Sequence, residues 1–263
     1  MDFMHNVCKE LIIGETSQIS HYLPDSITRV SARNIPEYVF QTSWDRIYVC
    51  FAEQRTIHSH DKAYKLKFFQ TNVDLTLSII EKIKSKEIVY FSTVELWGNC
   101  TGPISLKTPF DFEENYYTTS KYEATKRLMN MEHVMIAFPF NFNSKHRSTE
   151  FLMGKVFRSL MHKEKISVGC LNWNRDILHA KWVANQAQNL KSSAIIGSGT
   201  YFNVKSYVKD LYEIFGMNFN EFVTELNESS RQKNLTYLSS DKILYSYEQL
   251  LEDTVDDLHW CAS

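Results

Sequence analysis

Glu87-Ile88-Val89-Tyr90-Phe91-Ser92-Thr93-Val94-Glu95-Leu96-Trp97-Gly98 is the stretch on which the reading of this chain turns. Its first five residues, EIVYF, are a short apolar run that stops at small polar residues, the pattern of a strand buried on both faces. Toward the N-terminus, residues 71–84 carry Val73, Leu75, Leu77, Ile79 and Ile80 with Lys and Glu following, an amphipathic helix. Further back, Arg46 to Phe51 (RIYVCF) and Ile27 to Ser31 read as strands. Lys9 to Ile13 is a first strand that runs into Gly14, with a helical stretch expected through Leu23. Toward the C-terminus, Tyr117 to Met129 reads as a helix and His133 to Phe140 as a strand. Continuous apolar strands alternating with helices specify an α/β fold whose parallel sheet is covered on both faces. After Phe140 the pattern loosens, with a helix over Phe151 to Met161 and shorter pieces beyond it. The expected division is residues 1–140, joined by parts of the later chain, and a smaller lobe mainly from residues 141–263.

The 263 residues, 43% hydrophobic and 23% charged, are ample for one sizeable core with a smaller lobe attached. A net charge of −2 and a pI near 6.5 leave no basic footprint for nucleic acid. The longest apolar runs are far too short to span a bilayer, and the first ten residues lack the apolar core of a signal peptide. No membrane association and a cytoplasmic location are therefore expected. Cys8, Cys50, Cys100, Cys170 and Cys261 are odd in number, widely spaced and without a C-x-x-C pair. That favours reduced thiols over a disulfide framework, and no metal site is expected.

Gly14-Glu15-Thr16-Ser17-Gln18-Ile19-Ser20 fits a G-x-x-G-x-x-G spacing with serines in the second and third glycine positions. Such a turn between a first strand and a helix cradles the pyrophosphate of a dinucleotide. Gly14, Ser17, Gln18 and Ile19 are the candidate cofactor residues, and a serine hydroxyl there is suited to donate to phosphate. The alternative is an ordinary strand-to-helix turn with Ser17 as the cap. At the end of the second strand stand Ser31-Ala32-Arg33-Asn34, with Arg29 just upstream and no acidic residue for a ribose hydroxyl. Ser31 and the guanidinium of Arg33 suit a 2′-phosphate, so NADP(H) is favoured and NAD(H) remains possible.

Tyr117-Thr118-Thr119-Ser120-Lys121 is a Y-x-x-x-K at the start of a helix, which places phenol and ammonium on one face. A cation there lowers the phenol pKa and suits the tyrosine to acid/base work. Together with Ser92 to Gly98, this pair resembles the extended short-chain dehydrogenase/reductase family, whose S-[ST]-x-x-[VL]-[YW]-G segment puts the catalytic hydroxyl at Thr93. The resemblance continues through most of the chain. Asn72-Val73 is similar to the family's asparagine before that strand, and Phe138-Pro139-Phe140-Asn141 resembles an R-x-x-N segment with Phe138 in place of its arginine. Arg175-Asp176-Ile177-Leu178-His179 resembles the R-D-[FW]-[IL]-H stretch, and Ile196-Gly197-Ser198-Gly199 resembles its N-[IV]-G-[ST]-G turn.

This resemblance implies a Rossmann-type doubly wound parallel sheet with a C-terminal substrate lobe, and a nucleotide-diphosphate sugar as substrate. It implies Thr93, Tyr117 and Lys121 as catalytic residues, Asn72 beside Tyr117 and Lys121 on the cofactor side, and Asn141, Arg175 and His146 toward the substrate. Trp97 is expected against the nicotinamide edge. His146 and Arg147 have a solvated loop as the alternative, and so does the cluster His58, His60 and Asp61. Lys155 and Lys163 are by default a charged helix face.

The implied chemistry is hydride transfer at a sugar carbon, usually C4, within a polysaccharide-precursor pathway. Reduction of a 4-keto sugar by NADPH with Tyr117 as acid leads. Epimerisation stays open, as does 4,6-dehydration, for which Glu95 in Thr93-Val94-Glu95 would be the base. A binding module without turnover is the reading from another class, motivated by Ser17, Ser20 and Phe138. Family members pair through the helices flanking the active site, so a homodimer is expected.

Overall fold

The computed structural model describes residues 8–226, 234–240 and 245–259. In chain order the elements begin β1 (Glu10–Ile13), β2 (Thr28–Val30), α1 (Glu37–Gln41), β3 (Ser43–Val49), α2 (Lys62–Phe69), α3 (Thr76–Lys82) and β4 (Lys84–Phe91). They continue with β5 (Gly102–Ile104), α4 (Tyr116–Leu128), β6 (Val134–Pro139), β7 (Asn141–Asn143), α5 (Leu152–His162), β8 (Ile166–Val168), β9 (Asn174–Arg175) and β10 (Ile177–His179). The last are α6 (Ala180–Gln188), β11 (Ala194–Ile196), β12 (Phe202–Asn203), α7 (Val204–Ile214), α8 (Phe219–Phe222), β13 (Val223–Glu225), β14 (Tyr237–Ser239) and α9 (Tyr247–His259).

Six strands form one parallel sheet in the order β11-β6-β4-β3-β1-β2. In β4 the exposed and half-exposed residues 84–87 give way to Ile88, Val89, Tyr90 and Phe91, all buried. These four register with Val134 to Ala137 of β6, and Ile88 to Tyr90 with Ile47 to Val49 of β3. Every residue of β6 is buried. A strand flanked on both sides and covered on both faces must be apolar throughout, which is why EIVYF reads so clearly. Crossovers between parallel strands bring each strand out at one edge, and Gly14, Ser31, Cys50 and Ser92 all follow strand ends there.

The chain divides into two compact units, residues 1–96, 112–138 and 184–194, and residues 97–111, 139–183 and 195–263. In the second, short strands pair two by two: β7 with β10, β5 with β14 and β8 with β13 in parallel, and β9 with β12 antiparallel. Helix α9 is anchored there by polar contacts: Asp253 meets Tyr245 and Lys181, Thr254 meets Tyr207, and Asp257 meets His179 and Lys145. Cys8, Cys50, Cys100 and Cys170 are free thiols, and Cys261 lies outside the described residues. Among the described residues no helix is long and apolar enough to cross a membrane.

Two local expectations change. The helix expected at 71–84 begins earlier, running from Lys62 to Lys82 with a π-helical stretch at Gln70–Leu75. The helix expected from Gly14 to Leu23 does not form; turns lead into a single 3₁₀ turn at Ser20–Tyr22. Serine side chains compete for the backbone here: Ser20 Oγ donates to the carbonyls of Glu15 and Ser17. Arg29 then gathers the following loop, donating to the carbonyls of Ser20, Leu23, Asp25 and Ile27.

Arg46, 7% exposed, joins elements distant in sequence. Its guanidinium pairs with Glu87 on β4 and donates to the carbonyls of Gln188, the last residue of α6, and of Leu190 just beyond it. Truncation leaves those carbonyls and Glu87 without their donor, so Arg46→Ala is expected to lower unfolding free energy by about 3 kcal/mol in urea titrations.

Candidate functional site

Helix α4 opens with a reciprocal cap. The Asn115 side chain accepts from the N–H groups of Tyr117 and Thr118, both at 3.0 Å, and Thr118 Oγ1 accepts from the Asn115 N–H at 3.2 Å. This fixes Tyr117 in the first turn, half-buried, with its ring edge-on to Phe68 at 6.2 Å. Lys121 follows one turn later and is only 2% exposed. Its amine donates to the Tyr90 hydroxyl at 2.8 Å and the Phe91 carbonyl at 2.6 Å, and lies 4.4 Å from the Tyr90 ring centroid. Burial pulls the Lys121 pKa down to about 7. The cation expected beside Tyr117 is therefore one whose charge is lost as pH rises through neutrality. Burial, and then the nearby Tyr117, push the Tyr90 phenol well up.

Beyond β4, the Ser92 hydroxyl lies 2.7 Å from that of Thr125, tying the strand end to α4. Thr93 is buried, and its Oγ1 accepts the Glu95 N–H at 3.2 Å, opening the 3₁₀ turn Val94–Trp97. The hydroxyl proton of Thr93 remains available for donation. Glu95 is half-buried on that turn. Trp97 differs from its expectation at the nicotinamide edge: it is fully buried in the second unit, donates Nε1–H to the Thr108 carbonyl at 2.9 Å and packs on Phe110. It holds the 97–111 segment.

At the ends of β1 and β2, Gly14 adopts φ +103°, and a Cβ there would come within 2.8 Å of the Phe51 nitrogen. Glycine is required because the turn lies against the end of β3. Gln18 and Ile19 are buried and Ser17 is half-buried. Ile19 N–H meets no backbone acceptor among the described residues, whereas the Ser20 hydroxyl is engaged within the turn and is no phosphate donor. Arg29 is likewise a structural clamp and no phosphate ligand. Arg33 is exposed next to half-buried Ser31, and its guanidinium has no ion-pair partner among the described residues. The residues fit a dinucleotide held by backbone N–H groups at the turn and by a free guanidinium at its adenosine end, without the usual helix N-terminus.

Asn72, expected on the cofactor, sits within the π-helical stretch with its amide turned inward. It accepts the Glu53 N–H at 2.8 Å and donates to the Glu53 carbonyl and to Ser120 Oγ. It thus ties the loop after β3 to α4 and acts by position. Glu53 itself escaped the sequence reading. Burial alone raises its pKa, but Arg55 grips both carboxylate oxygens and Lys67 lies 3.4 Å away, holding it down to about 2. His58 stacks on Tyr64, Asp61 caps α2, and His60 is exposed, as a structured surface loop requires.

The second unit holds the residues expected on the substrate side. Asn141 and His146 are exposed, and Arg175 is half-buried with its guanidinium 4.8 Å from the Trp173 ring. Asp176, fully buried, accepts from Ser198 N–H, Ser198 Oγ–H and Gly199 N–H, which fixes the 196–200 turn. Burial raises its pKa to about 6 against those hydrogen bonds. The Phe140 ring packs on the same turn, where a Cβ on Gly197 would meet it.

Lys121 gives a stability test. Its pKa falls from 10.5 in the unfolded chain to about 7 in the fold. Between those values the unfolded chain binds the extra proton, so stability rises with pH across that window and is least below it. Lys121→Met is expected to flatten this rise in urea titrations repeated across neutral and alkaline pH, and an unchanged slope would assign it to other groups.

The sequence pattern of the NAD dependent epimerase/dehydratase family matches residues 25–188. Among curated proteins nothing matches at a significant level. Solved structures share the fold. RMD from Pseudomonas aeruginosa, complexed with NADPH, aligns with a TM-score of 0.75 at 14% identity, covering 96% of this chain and 99% of its own. The UDP-N-acetylglucosamine 4-epimerase of Methanobrevibacter ruminantium M1, in complex with UDP-N-acetylmuramic acid, gives 0.76 at 12% identity, covering 97% and 98%. The dTDP-glucose 4,6-dehydratase of Bacillus anthracis, in complex with NAD, gives 0.72 at 15% identity, covering 97% and 96%. With the family pattern matched over more than half of its length, the chain belongs to the NAD dependent epimerase/dehydratase family, the extended short-chain dehydrogenase/reductases.

Proposed function

We propose that this chain is an NADP(H)-dependent nucleotide-sugar oxidoreductase that reduces the 4-keto group of an activated deoxyhexose. The observation that carries this reading is Tyr117 on the first turn of α4 with Lys121 buried one turn below it. When bound, the nicotinamide supplies the hydride. Tyr117 donates its phenolic proton to the oxygen at C4 as that oxygen gains charge, and Thr93 donates a hydrogen bond to the same oxygen. Protonated Lys121 lowers the cost of the resulting tyrosinate. Its third N–H, the one not engaged by Tyr90 and Phe91, is left for the cofactor ribose.

NADPH is preferred on the strength of Arg33, exposed and unpaired among the described residues at the end of β2, with no carboxylate in Ser31 to Asn34. A turn without a long helix suits a cofactor that exchanges at every cycle, as net reduction demands. The P. aeruginosa structure being a complex with NADPH supports the same choice. Asn141, Arg175 and His146 are assigned to the nucleotide sugar. Half-buried Glu95, two residues beyond Thr93, sustains 4,6-dehydration as the second reading. A homodimer pairing through α4 is part of the proposal, and light scattering on the purified chain decides it.

Fluorescence titration with NADPH and NADH, followed by assay of 4-keto nucleotide sugars, tests the function. Tight NADPH binding with hydride consumption is expected; binding of neither cofactor would leave a module without turnover. Arg33→Ala is expected to weaken NADPH about 10- to 100-fold and to leave NADH unchanged. Tyr117→Phe should lose about 10²–10⁴-fold in kcat while still binding NADPH, and full activity in that variant would sink the mechanism.

A further inference from the structure

We propose that Tyr90 is a positioning residue of this site, its hydroxyl fixing the Lys121 amine in place and supporting the charged form. The inference rests on Lys121 belonging to the site, and goes further by assigning a role to a side chain on the sheet. Tyr90 is 1% exposed and lies in the middle of the parallel ladder, paired with Val49 on one side and Ile136 on the other. A tyrosine in such a place carries a hydroxyl that must find a partner, and it finds the Lys121 amine at 2.8 Å. The ring lies under the same nitrogen at 4.4 Å. With the Phe91 carbonyl at 2.6 Å, two of the three ammonium N–H groups are directed by β4, which aims the third.

Among the described residues Tyr90 supplies the side-chain hydrogen bond to the Lys121 amine. From the sheet, Tyr90 is the titratable group that meets the Lys121 amine, and Tyr117, one turn away on the same helix, acts on Tyr90. From the helices packed on α4, Phe68 meets Tyr117 and Asn72 meets Ser120, and neither titrates. The Glu53 carboxylate, on the loop that Asn72 ties to α4, is paired with Arg55 and Lys67. Burial is what pulls the Lys121 ionisation down. A hydroxyl oxygen stabilises an ammonium more than a neutral amine, so removing it shifts the balance further toward the neutral form. As pH rises, the cation is lost at a lower pH, and assistance to Tyr117 is lost with it.

The test compares the full chain with Tyr90→Phe, each carrying ¹³Cε-labelled lysine, by NMR titration across the neutral and alkaline range without cofactor or substrate. Lys121→Met assigns the signal. The Lys121 midpoint is expected to fall by about one pH unit in Tyr90→Phe, the size of one lost hydrogen bond to a charged group. The alkaline limb of kcat/KM is expected to move down by the same amount. An unmoved midpoint in a folded Tyr90→Phe overturns the proposal and leaves Tyr90 as packing alone. Should that variant fail to fold, 3-fluorotyrosine at position 90 keeps the ring and weakens the oxygen as an acceptor. A smaller shift in the same direction then supports the role, and no shift overturns it. Because the titration needs no turnover, a moved midpoint in a chain that binds neither cofactor upholds Tyr90 and removes the reductase reading instead.

Discussion

Parallel hydrogen bonding on both sides of β4 is the constraint from which the rest follows. With β3 and β6 paired to it in register, residues 88–91 have no face toward water, and each must be apolar or bring its own polar partner. Parallel neighbours also end at one edge of the sheet, so the loops after β1, β2, β3 and β4 emerge together. Gly14, Arg33, Glu53 and Thr93 are far apart in the chain and share that edge for this reason.

The polar groups buried along that edge are held by protein atoms. Asn72 secures the backbone of Glu53 and the hydroxyl of Ser120, while Ser92 bonds Thr125 and Lys121 bonds Tyr90 and Phe91. In the second unit Asp176 holds the turn at Ser198 and Gly199 in the same manner. Buried polar groups left unsatisfied cost far more than satisfied ones return, so such clamps rigidify the backbone around Thr93 and Tyr117. Preorganisation of this kind is what acid/base chemistry needs from a scaffold. The turn after β1 was simplified in the opposite direction. Serine back-bonding and the Arg29 clamp close it within a few residues, leaving backbone N–H groups where a helix would have stood.

Alternation of apolar runs with helical periods was enough to read a parallel α/β sheet, because two-sided burial imposes a composition that no exposed strand shares. The spacing of Tyr117 and Lys121 was enough to place them on one helical face, since that depends only on helix geometry. Family membership was legible for a related reason: Ser92 to Gly98, Arg175 to His179 and Ile196 to Gly199 are local segments whose order survives in sequence. What lay beyond the sequence were interactions between distant segments. Tyr90 reads as one more apolar residue until β4 and α4 are packed together, and only then does its hydroxyl meet an amine. Trp97, Asn72 and Arg29 have hydrogen-bond partners that no sequence pattern names: Thr108, Glu53 and the carbonyls of the 20–27 loop. The amino-acid sequence by itself determined which elements form, their order and which residue types reach the strand ends, because periodicity and helix spacing are local properties. Only the tertiary structure decided the partner and charge of each polar side chain there, because burial and hydrogen bonding depend on neighbours that the chain order does not name.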